Sequence, residues 1–251
     1  MTLRSRGARP TPTPGSLASA NTSTGPELAD RVTSRRFASV ARDWVDWHRA
    51  YDDTASALSR RLAVISRMIR DVLDSAPPGD IRVVSLCAGD GRDLIGAATG
   101  HPRAADLEGV LVELDAQLAA TAAVGVASVS NRVTVLNGDA GVTAGFRAAL
   151  PVDLLLLCGI FGNLSDEDVR TTIAAVPAMT RAGATVIWTR HRREPDLTPS
   201  IRRWFDDAGC TSMELVSPGA GGFAIGAERR RDVPASGLLP DRLFSFRDDL
   251  W

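Results

Sequence analysis

Three short stretches hold the residues whose types and spacing could do chemistry. In "VVSLCAGDGRDL" (83–94) four strand-favouring residues run into a turn that carries Gly89, Gly91, Asp90 and Asp93. Glycines there let the backbone approach a ligand where a β-carbon would intrude. In "GVLVELD" a carboxylate, Glu113, stands about 22 residues after the glycines. A carboxylate at that distance, at the end of a second strand, can accept both hydroxyls of a ribose. In "VLNGDAG" Asp139 could accept an adenine amino hydrogen while the Ala140 N–H donates to the ring, although Asn137-Gly138-Asp139 alone is also an ordinary turn.

The sign of the ligand follows from the same residues. The dinucleotide fingerprint needs a third glycine at position 94, which is Leu94, and would place a pyrophosphate at the helix start. A like-charge contact at about 4 Å is worth roughly 4 kcal/mol at an effective dielectric near 20. Asp90 and Asp93 therefore disfavour an anion and suit a ligand that carries positive charge; each also reads as a helix cap facing solvent.

These residues need elements to position them. Strand-like runs at 81–86, 109–113, 132–137, 152–158 and 184–190 alternate with helical patterns near 92–99, 116–124, 143–150 and 166–179. Such alternation implies right-handed βαβ units and a parallel sheet covered on both faces. The pattern then changes: "TSMELVS" and "GFAIGAERR" are separated only by a Pro/Gly-rich stretch, so the sheet should finish with an antiparallel pair. Asp115 and Ser165 are expected to cap the helices that follow them, Gly183 to follow a helix end, and Thr198-Pro199 to cap and open another helix. Upstream, Leu58, Leu62, Ile65, Ile69 and Val72 share one face of a helix over 54–73, with Asp53 at its start. Residues 1–35, rich in Pro, Thr, Ser, Ala and Gly, are expected to be a disordered tail.

In combination, a glycine loop tolerant of cations, a ribose carboxylate, an Asp after the third strand and an antiparallel finish resemble the class I S-adenosylmethionine-dependent methyltransferases over about residues 80–230. The resemblance implies an α/β, doubly wound, mostly parallel seven-stranded sheet with an antiparallel last strand, helices on both faces and an N-terminal helical lid. The implied organisation is a tail (1–35), a helical cap (36–79) and a Rossmann-like methyltransferase domain (80–251). It further implies S-adenosyl-L-methionine as cofactor across the first strands, held by Cys87, Gly89, Asp90, Gly91, Glu113, Asp139, Ala140, Cys158 and Gly159, with the substrate over the fourth and fifth. Ser85 and Cys87 stand where that family often has an acid and its first glycine, so Asp90 or loop carbonyls would take the cofactor's amino group.

On the substrate side the fourth strand exits into "LLCGIFGNLSDEDV", without the acid/Asn/Ser-Pro-Pro-aromatic run common in enzymes that methylate nucleobase amines. Phe161 could wall a pocket or simply pack, and Asn163 could hydrogen-bond a ligand. His191, at the fifth strand's exit, is a candidate general base or an ordinary loop histidine among arginines. Tyr51, with Trp44 and Trp47, could line a lid or fasten it to the core. A nicotinamide-dependent oxidoreductase and a non-catalytic cofactor-binding protein are the alternatives.

Composition narrows the classes. With 251 residues, 44% of them hydrophobic, the chain has material for a sizeable core. A net charge of -1 does not recruit polyanions, so no nucleic-acid partner is expected, and the partner expected is a small-molecule substrate. All 29 basic residues are arginine, which excludes lysine Schiff-base chemistry. Cys87, Cys158 and Cys210 form no metal-binding or disulfide pattern; no metal is expected, and a reducing cytoplasm fits. The longest apolar run, 154–161, is too short to span a bilayer, so no membrane partner is expected. The sequence does not speak to oligomeric state.

Overall fold

The computed structural model describes residues 51–217, 222–234 and 238–246. The expected tail and the lid aromatics Trp44 and Trp47 lie outside the described residues. In chain order the elements are α1 (Ala57–Ser75), β1 (Ile81–Leu86), α2 (Arg92–Ala98), β2 (Leu107–Glu113), α3 (Ala116–Ala127), β3 (Val133–Asn137), β4 (Val152–Leu157), α4 (Asp166–Ala174), α5 (Val176–Met179), β5 (Thr180–His191), α6 (Thr198–Asp207), β6 (Cys210–Val216) and β7 (Phe223–Arg230).

The seven strands form one sheet in the order β3-β2-β1-β4-β5-β7-β6. The strands from β1 to β5 pair in parallel, whereas β7 runs antiparallel to both β5 and β6, as the missing helix between the last two runs requires. Alternate residues serve two cores. Val83, Leu154 and Leu156 pack with Ile65, Ile69 and Leu73 of α1 and with Leu94 of α2. Their neighbours Val84, Leu86, Leu155 and Leu157 pack on the other face with Val169 and Ile173 of α4 and Phe205 of α6. This two-sided burial is why the strands read as continuous apolar runs. Gly109 in β2 has φ +146, and a β-carbon there would lie 1.8 Å from the Val83 carbonyl oxygen, so the β1–β2 pairing admits only glycine.

Several local expectations are corrected. Ser56, not Asp53, caps α1, its side chain accepting from the Ser59 amide; Asp53 instead accepts from Ala55. The helix expected at 143–150 is two 3-10 turns, Thr143–Gly145 and Arg147–Ala149. Its first turn is diverted because the Thr143 amide and hydroxyl bond Asp241 and Pro240 of the C-terminal segment. The helix expected at 166–179 breaks between Ala174 and Val176, where Pro177 cannot donate a main-chain hydrogen bond. β5 starts at Thr180 rather than near 184, and Gly183 (φ +79) lies inside it at a shift in register against β4. Thr198 is the first helical residue of α6, and the Asp196 side chain accepts from its amide.

The β5–β7 ladder buries a titratable group. Glu228 is 2% exposed, accepts from the Trp188 indole at 3.2 Å, and burial pushes its pKa up to about 7. Between pH 4.5 and 7 the unfolded chain releases this proton and the folded chain keeps it, so stability falls as pH rises through that window. Denaturant unfolding at pH 5 and pH 8 should show a loss of up to about 3 kcal/mol at the higher pH, and Glu228→Gln should remove most of it. A variant with unchanged pH dependence would contradict the assignment.

Candidate functional site

The sheet order reverses direction between β1 and β4, and an open α/β sheet receives its ligand in the crevice at the carboxyl tips of such strands. Glu113 stands at the tip of β2 and is 8% exposed; its Oε2 accepts the Gly89 amide at 2.8 Å and Oε1 the Asp115 amide at 2.8 Å. The loop after β1 is further stitched to β2 by Ala88 N–H donating to Val112 O. Asn137 does the same for the tip of β3, donating through Nδ2 to the Glu113 and Leu114 carbonyls. Asp115 caps α3 through the amides of Gln117 and Leu118, as expected.

Cys87 occupies the first turn position with φ 53, and among the described residues it is the non-glycine residue with positive φ. It thus follows the backbone path of a glycine. Its side chain packs toward the α4–α6 layer, and burial, followed by the nearby Glu113 and Asp139 carboxylates, pushes its thiol pKa well up. Cys158, the residue after β4, packs toward the α1–α2 layer, and burial raises its pKa strongly. Both thiols are therefore protonated near neutrality and poor nucleophiles. Gly159 follows with φ +81; its amide donates to Thr189 Oγ1 at 2.7 Å, and a β-carbon there would meet no atom within 4 Å. The crevice is open at this point.

Asp139 caps its own turn, Oδ1 accepting the Gly141 amide at 2.8 Å, while Oδ2 lies 2.9 Å from the Arg242 guanidinium. Ala140 beside it is buried. Asp90 is chelated by Arg92, whose Nε lies 2.9 and 2.8 Å from its two oxygens, so this carboxylate already has a cation. Asp93 is buried, accepts the Leu94 amide, and burial raises its pKa.

Tyr51 lies over this end of the site. The Arg92 guanidinium sits 4.6 Å from its ring centroid and Arg61 5.7 Å from it, and Arg61 donates to its hydroxyl. Arg61 also covers the Phe223 ring at 4.8 Å, which ties α1 to the start of β7. Burial raises the Tyr51 pKa, so the phenol stays protonated at neutral pH. Arg61 and Arg92 were not among the expected site residues. For Arg61 the signal exists: an arginine three residues after Leu58 and four before Ile65 falls on the apolar stripe of α1 and is 4% exposed.

Each of the substrate-side candidates has a local partner within the fold. Phe161 is wholly buried and packs on Trp188 with ring centroids 6.2 Å apart, so it is a core residue and offers no pocket wall. Asn163 donates through Nδ2 to the Gly159 carbonyl and shapes the turn after β4. His191 is half-buried against Gly162; its Nδ1 accepts the Arg193 amide, and burial together with Arg190 and Arg193 lowers its pKa. Among the described residues no group of three or more His, Cys, Asp or Glu could hold a metal, and no helix is long and apolar enough to cross a membrane.

No protein-family model matches the chain, and no curated protein matches its sequence. Solved structures do match. Magnesium protoporphyrin IX methyltransferase from Synechocystis, with bound S-adenosylmethionine, superposes with a TM-score of 0.57 at 14% identity, over 84% of this chain and 100% of that one. The N-methyltransferase NodS from Bradyrhizobium japonicum gives 0.53 at 14% identity, over 72% and 99%. A TehB-like S-adenosylmethionine-dependent methyltransferase from Corynebacterium glutamicum gives 0.51 at 11% identity, over 82% and 100%. At such identities the likeness is one of architecture: the chain has the α/β fold of the class I S-adenosylmethionine-dependent methyltransferases.

Proposed function

We propose that the protein is an S-adenosylmethionine-dependent methyltransferase acting on a small molecule. The observation that carries the reading is the Glu113 carboxylate, buried at the tip of β2 and held by the Gly89 and Asp115 amides beside an opening at Gly159. A carboxylate has about four lone-pair sites and two are used here, which leaves acceptors for the two hydroxyls of a ribose. In this reading Asp139 and the Ala140 amide would receive the purine edge. Cys87, in the left-handed backbone of a glycine, keeps the loop path and turns its thiol into the core, so the departure at this position leaves room for the nucleoside.

When bound, the cofactor supplies an electrophilic methyl group on a sulfonium. The chain's own part is to bind, orient and exclude water. Tyr51, clasped between Arg61 and Arg92, covers the loop side of the crevice. The depressed His191 pKa keeps its imidazole neutral near pH 7, but its Nδ1 is occupied by the Arg193 amide, so this histidine stabilises its own loop. Positioning of an already nucleophilic acceptor is the chemistry this site supports, and a cytoplasmic setting fits its reduced thiols. The nicotinamide alternative fares worse, since Leu94 is buried where the third glycine is needed and Asp93 is buried in the turn a pyrophosphate would occupy.

Calorimetric titration with S-adenosylhomocysteine should show one site per chain, with no heat from NADH. Glu113→Ala should weaken binding at least tenfold, about 1.4 kcal/mol or more. Saturable NADH binding, or a Glu113→Ala protein that binds as tightly as the parent, would reject the reading. In a second test, alkylation followed by peptide mass spectrometry reads opening of the loop after β1, because the core-facing Cys87 thiol reacts only when that loop opens. Saturating S-adenosylhomocysteine should slow its modification several-fold, and equal rates with and without it would show that the ligand does not stabilise this loop.

A further inference from the structure

Residues 238–246 form a strap that crosses the loop after β3, more than ninety positions away in sequence. Its attachment is continuous. Leu243 N–H donates to the Gly141 carbonyl at 2.8 Å, Thr143 N–H to the Asp241 carbonyl at 3.0 Å, and Thr143 Oγ1 to the Pro240 carbonyl at 2.7 Å. Val142 and Arg242 form an isolated antiparallel bridge. Leu243 and Phe244 are each 1% exposed, and a β-carbon on Gly141 would lie 2.2 Å from the Phe244 carbonyl oxygen. The strap is therefore packed directly against the loop that carries Asp139.

Arg242 is the residue this strap presents to the site. Its Nη1 lies 2.9 Å from Asp139 Oδ2 and donates to the Phe244 carbonyl at 3.1 Å, so the guanidinium is anchored on its own strap while it reaches across. Both side chains are about half exposed, at 49% and 41%, and an ion pair so exposed contributes little to stability. What it does fix is geometry. With Oδ1 on the Gly141 amide and Oδ2 on Arg242, the two contacts favour one orientation of the carboxylate and of its remaining lone pairs.

We propose that Arg242 is a positioning residue which holds Asp139 in the orientation that reads the exocyclic amino group of the cofactor's purine, and that the C-terminal strap thereby sets purine selectivity. The proposal rests on the methyltransferase reading above. It separates from that reading because it concerns one group of the ligand, whereas the reading concerns whether the ligand binds at all.

The test titrates the full chain and its Arg242→Ala and Arg242→Lys variants with two ligands. One is S-adenosylhomocysteine; the other is its 6-deamino analogue, with hydrogen in place of the purine amino group. The parent should prefer S-adenosylhomocysteine by about tenfold, the usual worth of one charge-assisted hydrogen bond to a ligand. Arg242→Ala should lose most of that preference while its affinity for the analogue stays within twofold, and Arg242→Lys should recover at least half of it. A merely structural role would weaken both ligands together. Equal weakening in Arg242→Ala, or an intact tenfold preference, overturns the proposal. A parent that binds both ligands equally also overturns it and leaves the methyltransferase reading standing; a parent that binds neither overturns both.

Discussion

The candidate site depends on one carboxylate. Burying the Glu113 side chain would cost several kcal/mol if its oxygens were left without donors. Here each oxygen receives a main-chain N–H, one from the loop after β1 and one from the loop after β2. The same two bonds that make its burial tolerable lock the two loops together, so the glycine turn and the β2 tip move as one body. β3 joins this body through Asn137, and β4 through the pairing of Val83, Val84 and Ser85 with Leu154, Leu155 and Leu156. Four strand tips from distant parts of the sequence are thereby held as one rim.

Around that rim the charges are arranged in layers. Carboxylates of Glu113, Asp139, Asp90 and Asp93 line the tips, and arginines stand outside them: Arg92 on Asp90, Arg242 on Asp139, and Arg61 over Tyr51 and Phe223. With no lysine in the chain, each of these cations is a planar guanidinium, able to stack on an aromatic ring and to fork onto a carboxylate at once. Arg92 does both, chelating Asp90 while covering Tyr51. Asp90 and Asp139 each have a guanidinium beside them, whereas Glu113 is held by main-chain amides.

The framework was legible in the sequence because its signals are local. β1 falls at the run expected for it, the alternation of strands and helices dictates parallel pairing, and the Pro/Gly-rich interval at 218–222 announces the antiparallel finish. The glycine turn and Glu113 were legible for the same reason, their spacing being set by one βαβ unit. What was not legible depends on partners remote in sequence. The 3-10 turns at 143–149 replace a helix because Thr143 bonds a segment nearly a hundred residues later, and no local pattern announces that. The loop position of Phe161 left a pocket wall and a packed ring both open, and only its contact with Trp188, 27 residues on, decides for the core. Arg242 carries no motif at all; only the docking of the strap brings it to Asp139.

In the methyltransferase reading Glu113, fixed by the Gly89 amide, is the residue that binds the ribose. A crystal structure of the protein with S-adenosylhomocysteine tests it most directly. The account predicts both ribose hydroxyls within hydrogen-bonding distance of the Glu113 carboxylate, about 2.6 to 3.0 Å, with the bond to the Gly89 amide preserved. A nucleoside bound elsewhere, or a Glu113 side chain swung away from both the ribose and Gly89, would contradict it.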